Sequence, residues 1–436
     1  MTSEPAPPRE AFVWIWLPEA VEPVVAGRLV AEGKEIGFVY GRSYRARTDA
    51  IPLYLPELPL RQGFIRPEPG LAIANAIRDA GPDAWGRRVI LNRLFGARHE
   101  VIDQAHLDEL TFLLASGSDR TGALDFQASA SAYVARGVAG TLEELVLSAE
   151  RVEQGVPLTA ELDAALYHGS SIGGARPKAQ ITASNAKYVA KFSSGGDTHD
   201  IVRGEYIAMR LAAMAGLDVA PVWLVRVGER DVLLVERFDR SQREGGWTRR
   251  AMVSALTILS LDEMEARYAS YQDLAEQIRI RFADVPRTLR ELFGRMTFNV
   301  LVGNVDDHAR NHSAFWDGHR LSLTPAYDIC PQNRAGEEAS QAMLIHDDVR
   351  VSRLSACIVA APHFHLTEAE AAALIERQVR VVGENWRPLC QEAGLGDIDR
   401  RYFWGRQFLN PFAFYDLRVA AEGLAALADG YRSGMA

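Results

Sequence analysis

Residues 303–315, GNVDDHARNHSAF, gather carboxylate, imidazole and amide groups in one short stretch: Asp306, Asp307, His308, Asn311 and His312. Two kinds of chemistry use such a set. His308 and His312 stand four apart, the spacing by which two imidazoles on one helix face bind zinc. That chemistry also needs a glutamate directly after the first histidine, and Ala309 occupies the place. Gly303, just upstream, argues against a helix continuing through the stretch. Phosphoryl transfer makes a different demand: an aspartate that accepts the proton of the attacking hydroxyl and an asparagine five residues on that holds Mg²⁺. Asp306 and Asn311 are five apart and Asp307 and Asn311 four, so Asp306 is the expected base and Asp307 the bystander.

Other chemistry-bearing residues fall along the chain in an order that matters. GSSIGGARPKAQ, residues 169–180, is a glycine- and serine-rich turn before a strand. Such a turn brings backbone N–H groups to phosphate oxygens without an intervening Cβ, or simply closes a hairpin. Lys191 lies mid-strand in YVAKF, beside Ala190. It either extends its stem to water or pairs with the α- and β-phosphates of a nucleotide, as the strand lysine of kinases does. Glu205 falls near the start of the next helix, as a lysine partner or as an acid favoured by the helix dipole. LLVERFDR, residues 233–240, ends a strand and turns charged at Glu236 and Phe238, where a two-lobed enzyme has its hinge. Asp328 follows the strand of LSLTPAYDICP, 17 residues after Asn311. It stands as a second metal ligand or as a turn residue before Pro331. Glycine-rich turn, strand lysine, helix glutamate, hinge, Asp–Asn unit and metal aspartate run in kinase order, which points to phosphoryl transfer from ATP.

These residues need a frame. AFVWIWL and EIGFVYG read as strands near the N-terminus. GPDAWGRRVILNRLFG is a helix opened near Pro82 and stopped at Gly96, AHLDELTFLLASG a helix stopped at Gly117. Thr141–Glu144, Thr288–Glu291 and Thr367–Glu370 each have the spacing of a capping box opening a helix. PKAQITAS and KYVAKFSS are two short strands joined around Asn185; PVWLVRV and VLLVERF form a second hairpin. DIVRGEYIAMRLAAMAGL between them is helical and closes at Gly216. The result is a mixed N-terminal module, a strand-rich middle and a helix-rich remainder, whose spacings suit a small β lobe and a larger helical lobe.

The 436 residues exceed one core and imply two or three domains. A formal net charge of −9 carries no chain-wide basic footprint for nucleic acid. Cys330, Cys357 and Cys390 are odd in number and lack CxxC spacing, which suits a reducing cytosol rather than a disulfide framework or zinc knuckle. The N-terminal MTSEPAPPRE has acids and prolines where a signal peptide needs a basic start and an apolar run. No apolar stretch approaches a membrane span. A cytoplasmic protein without membrane partners is expected.

Taken together, SSIGGARPKA, SDRTGALDF, VERFDR, DDHARNHS and LTPAYDI resemble the HipA family, bacterial serine/threonine kinases that act as toxins of toxin–antitoxin pairs. The match is most specific between residues 105 and 331. The resemblance implies an α+β, two-lobed protein-kinase-like fold: a small β-rich N-lobe with an extra N-terminal subdomain, and a larger all-helical C-lobe. The expected division is 1–125, 126–240 and 241–436. It implies Asp306 as base, Asn311 and Asp328 as Mg²⁺ ligands, and Lys191 as the phosphate-pairing lysine. It places ATP against Ile172, Gly173, Gly174, Ala175, Arg176 and Lys178 of the phosphate-covering loop and the backbone of Glu236 and Phe238, with His308 supporting the catalytic loop. Ser171, or its neighbour Ser170, matches a serine whose autophosphorylation expels that loop. The implied partners are a HipB-like helix-turn-helix antitoxin, operator DNA mainly through that antitoxin, and an aminoacyl-tRNA synthetase substrate, typically glutamate–tRNA ligase. A small-molecule or lipid kinase, or a kinase fold that regulates without catalysis, are the alternatives. AGPDAWGRRVI, in the N-terminal module, departs from the family's pattern.

Overall fold

The computed structural model describes residues 8–95, 108–137, 141–153, 177–183, 185–193, 197–228, 230–334, 336–418 and 421–434. The chain compacts into two units. One comprises Met1–Ser194, Arg226–Val253 and Phe315–His319; the other comprises Gly195–Val225, Ser254–Ala314 and Arg320–Ala436.

In the first unit, strands β1 (Glu10–Ile15), β2 (Val24–Glu32), β3 (Glu35–Tyr40), β4 (Phe64–Ile65) and β5 (Leu124–Gln127) form an antiparallel sheet in the order β4-β3-β2-β1-β5. Val13, Ile15, Leu29, Phe38 and Phe126 are buried in its core. Each such side chain contributes about 1.5–3 kcal/mol by leaving water. The Tyr40 hydroxyl pins the following loop, donating to the Leu58 carbonyl at 2.6 Å and accepting from the Leu53 N–H at 2.8 Å. A second sheet holds the expected hairpin of β6 (Lys178–Thr182) and β7 (Lys187–Phe192), paired in register from Thr182 opposite Lys187 to Lys178 opposite Lys191. β8 (Val222–Val227), in which the chain passes from the second unit to the first, precedes β9 (Arg230–Glu236), and the sheet order is β6-β7-β9-β8.

The second unit is built on helices. Val285–Val302 and the 25-residue helix Glu368–Glu392 lie side by side. Buried Gln378 pins them, accepting from the Thr297 hydroxyl at 2.9 Å and donating to the Gly294 carbonyl at 2.7 Å. Gly383 lets Glu368–Glu392 meet Glu422–Ser433 closely, since a Cβ there would come within 2.3 Å of the Tyr431 ring. The Thr367–Glu370 and Thr141–Glu144 capping boxes form as their spacing requires.

Three expectations need correction. The helix carrying Thr288 opens at Asp284, whose side chain accepts from Arg287 N–H, with a proline in the first turn. The proline presets helical φ one turn early, so Glu291 instead accepts from Arg295 at 2.8 Å. The segment after residue 240 is not all-helical. Arg240–Arg243 pairs with Gly246–Arg249, and Ser313–Trp316 and Leu321–Leu323 are strands. Nor do three consecutive segments describe the compact units. The helix Ile201–Met214 belongs to the second, where the Tyr206 hydroxyl donates to Glu392 at 2.5 Å and Gly204 packs beneath Phe403.

Candidate active site

In the second unit, the helix Val285–Val302 ends at Gly303, which has φ 70 and ψ 26. That left-handed conformation suits glycine, and a Cβ there would lie 2.9 Å from the Gln407 backbone. The loop that follows is tied twice at its start: Gln332 N–H donates to the Gly303 carbonyl at 3.0 Å and Ala342 N–H to the Val305 carbonyl at 2.9 Å. It then turns through a short 3₁₀ segment, Ala309–Asn311, into a strand.

Within this loop the adjacent aspartates part company. Asp306 is exposed, whereas Asp307 is buried. Asp307 takes hydrogen bonds from the Tyr271 hydroxyl, from Asn299 Nδ2 at 2.8 Å and from His312 Nε2 at 2.9 Å. Burial alone would raise its pKa, but the facing His312 and the donated hydrogen bonds hold the carboxyl below its ordinary range. Tyr271 is pushed the other way, well above an ordinary phenol, by burial and by the Asp307 charge.

Asn311 is buried, and its Nδ2 approaches the Asp306 carbonyl at 3.5 Å. Asp328 is half-buried and takes φ 61, a left-handed conformation that aspartate tolerates better than most residues. Its position is fixed from both sides. Ala326 pairs with residues 218–220, through N–H bonds of 2.7 and 2.9 Å. Buried Arg295 donates to the Thr324 carbonyl at 2.8 Å. The Tyr327 hydroxyl donates to the Arg310 carbonyl at 2.7 Å. Asn304 Nδ2 reaches both Asn299 Oδ1, at 3.0 Å, and the Asp328 carbonyl, at 3.4 Å. Asp306, Asn311 and Asp328 are therefore carried on one cross-braced assembly.

The donor set suits Mg²⁺ better than zinc. Asn311 and Asp328 offer hard oxygen ligands, and the ring nitrogen Nε2 of His312 is committed to Asp307. His308 is half-buried, and its Nδ1 is buried without a hydrogen-bond partner among the described residues.

In the first unit, Lys191 is half-buried on β7 between buried Ala190 and Phe192, with Leu233 of β9 opposite. Lys178 is the first residue of β6 rather than a loop residue. It is buried, with Nζ 3.6 Å from Asp83, and its carbonyl accepts from Trp85 Nε1 at 3.0 Å. Glu236 ends β9 and Phe238 is half-buried, its ring edge-on to Phe315 at 5.8 Å. Ser170, Ser171, Ile172, Gly173, Gly174, Ala175 and Arg176 lie outside the described residues, as does Gly96. Glu205 is buried in the helix Ile201–Met214 of the second unit.

Just past β9, the buried residues Arg237, Asp239 and Arg240 form an ion network with Asp119. Arg237 reaches Asp119 at 3.0 Å and Asp239 at 2.9 Å; Arg240 reaches them at 3.0 and 2.8 Å. Lys187 also pairs with Asp119. Burial would raise the Asp119 pKa, but the surrounding cations hold it well below the usual carboxylate range.

Sequence reasoning gave Asp307 and His312 no part in the site, and it did not show that both are buried and bonded to each other beside Asp306. The available signal was Asn299, an amide in the otherwise apolar run FNVLV, which a buried helix carries only when a partner awaits it.

The α+β arrangement, with a sheet bearing a strand lysine in one unit and a helix-supported Asp–Asn loop followed by Asp328 in the other, is that of a protein-kinase-like fold. Among solved structures, a chain of the Shewanella oneidensis MR-1 toxin–antitoxin complex of HipA, HipB and operator DNA shares the fold. Its TM-score is 0.62 at 20% identity, covering 94% of this chain and 93% of that one. Two family models match: the HipA N-terminal domain over residues 20–127 and the HipA-like C-terminal domain over residues 170–386. The chain belongs to the HipA family. The serine/threonine-protein kinase toxin HipA of Shewanella oneidensis is 26% identical over 202 residues, 41% of this chain and 47% of that protein. The toxin YjjJ of Escherichia coli is 29% identical over 218 residues, 44% of this chain and 46% of that protein. The chain spans about half the length of the curated relatives it matches, 41–52%.

Proposed function

We propose that this protein is an ATP-dependent serine/threonine protein kinase and the toxin of a type II toxin–antitoxin pair. The observation that carries the reading is the split between Asp306, exposed on a braced loop that also holds Asn311 and Asp328, and Asp307, buried beneath it. Asp306 accepts the proton of the attacking hydroxyl. Asn311 and Asp328 hold Mg²⁺, which when bound neutralises charge on the transferring phosphate. Lys191 pairs with the α- and β-phosphates, the backbone at Glu236 and Phe238 receives the adenine, and residues 172–176 cover the phosphates. His308 supports the loop.

The family supplies the biological reading. The target is a translation component, an aminoacyl-tRNA synthetase such as glutamate–tRNA ligase, whose phosphorylation arrests growth. Phosphorylation of Ser171 or Ser170 switches the enzyme off, because a group of about −1.5 to −2 charge beside the nucleotide phosphates is repelled. A HipB-like antitoxin binds the kinase and carries most of the operator DNA contact, in keeping with a formal net charge of −9. No helix among the described residues is long and apolar enough to cross a membrane. The three cysteines are buried, which suits the reducing cytoplasm where we place the protein. Induced expression in a bacterial host tests the toxin reading: growth arrest is expected from the wild-type chain and not from Asp306→Asn. Equal arrest by both contradicts it.

A further inference from the structure

We infer that Asp307 is a positioning residue that sets the geometry of the Asp306–Asn311 loop through a buried bracket of Tyr271, Asn299 and His312; the inference rests on the phosphoryl-transfer reading of that loop. Three observations carry it. First, the three donors come from three separate stretches of chain. Tyr271 opens the helix Tyr271–Arg281, Asn299 lies in Val285–Val302, and His312 closes the loop itself. A single carboxylate thus fixes both ends of the loop to its two supporting helices. Second, the bracket continues. Asn299 Oδ1 accepts from Asn304, whose amide also reaches the Asp328 carbonyl at 3.4 Å. The same hydrogen-bonded chain therefore holds the immediate chain neighbours of the proposed base and of Asn311, and reaches the backbone of Asp328. Third, the arrangement is costly as mere packing. A buried carboxylate is tolerated only with several donors, and apolar groups of like volume would stabilise a loop as well.

The bracket has a direct consequence for Asp306. With the Asp307 side chain held inside, its chain neighbour is left at the surface. Replacing Asp307 by alanine removes Oδ2, the one oxygen on which all three donors converge. The loop then samples other placements of Asp306, and a displacement of about 1 Å costs on the order of 100-fold in rate. Nucleotide affinity, which on the present reading draws largely on Lys191 and the backbone near Glu236, stays as it was.

The test uses the full chain with γ-labelled ATP and Mg²⁺. It measures the rate of label transfer and ADP formation at saturating ATP, and separately the dissociation constant of ATP. Asp307→Ala is expected to lower the rate about tenfold or more while ATP affinity changes less than about twofold. Tyr271→Phe removes one donor of three and guards against misfolding of the first variant; a smaller fall in rate at unchanged affinity is expected. A wild-type rate in either folded variant overturns the inference and leaves the kinase reading standing. A loss of ATP affinity that accounts for the whole fall in rate overturns it equally. If the wild-type chain neither transfers label nor forms ADP, the kinase reading fails and this one with it.

Discussion

At the scale of single residues, environment decides what spacing alone leaves open. Asp306 and Asp307 are chemically identical and adjacent, and the five-residue interval to Asn311 only favours the first as the proposed base. What spacing does not encode is where the rejected aspartate goes. Its burial depends on Tyr271 and Asn299, 36 and 8 residues away, and only the folded chain brings them together. Glu57 shows the same dependence in the first unit. It is buried, and its carboxylate caps the backbone N–H groups of Asn75 and Ala76 at 3.0 and 2.8 Å. Burial raises its pKa from 4.5 to about 7, against the lowering effect of those two hydrogen bonds. The folded chain thus retains a proton that the unfolded chain has released between these values. Stability from this group is therefore fullest below the unfolded pKa and falls as pH rises towards 7. Glu57→Gln removes the titration. Urea unfolding is expected to show the variant gaining roughly 2–3 kcal/mol relative to wild type between about pH 5 and pH 8. A constant difference across that range would refute the assignment.

At the scale of elements, capping and turn chemistry were legible where a single signal stood alone. Thr367 and Glu370 form their box because nothing upstream competes, and Gly303 stops its helix as a left-handed cap. Thr288 failed as a cap because Asp284 and the proline at the helix start act first. Of the short strands after residue 240, that of LSLTPAYDICP was expected, whereas Gly246–Arg249, Met252–Ser254 and Ser313–Trp316 were missed because runs of three or four residues are too brief for alternation to register. Gly303 is also where an element's end governs the site. A side chain there must adopt positive φ and displace the Gln407 backbone. Gly303→Ala is expected to cost roughly 2–4 kcal/mol, read as a lower urea midpoint, and to slow label transfer because the loop begins at that residue. An unchanged midpoint would show that the cap carries no strain.

At the scale of the whole molecule, the sequence conveyed the order of the kinase-like parts but not how the chain divides. Ile201–Met214 sits between strands of the first unit in sequence, yet its buried face matches Glu392 and Phe403, residues far downstream. The N-terminal module is likewise joined to the segment after β9 by a network of charges. Asp119 and Arg120, in SDRTGALDF, meet Arg237 and Arg240, in VERFDR, within one unit. These two motifs looked like separate family marks and are two sides of one buried network. Asp119→Ala leaves Arg237, Arg240 and Lys187 short of a shared anion. The expected loss is about 3–5 kcal/mol, measured by urea unfolding; a loss below about 1 kcal/mol would show that the network is dispensable. The central claim, that the braced Asp306–Asn311–Asp328 assembly transfers phosphate from ATP to a serine hydroxyl, is tested most directly with purified chain, Mg²⁺ and γ-labelled ATP, followed by mass-spectrometric mapping. The account predicts phosphate on Ser170 or Ser171 in the wild-type chain and none in Asp306→Asn, with ATP bound equally by both. Label of equal intensity in both proteins would contradict it.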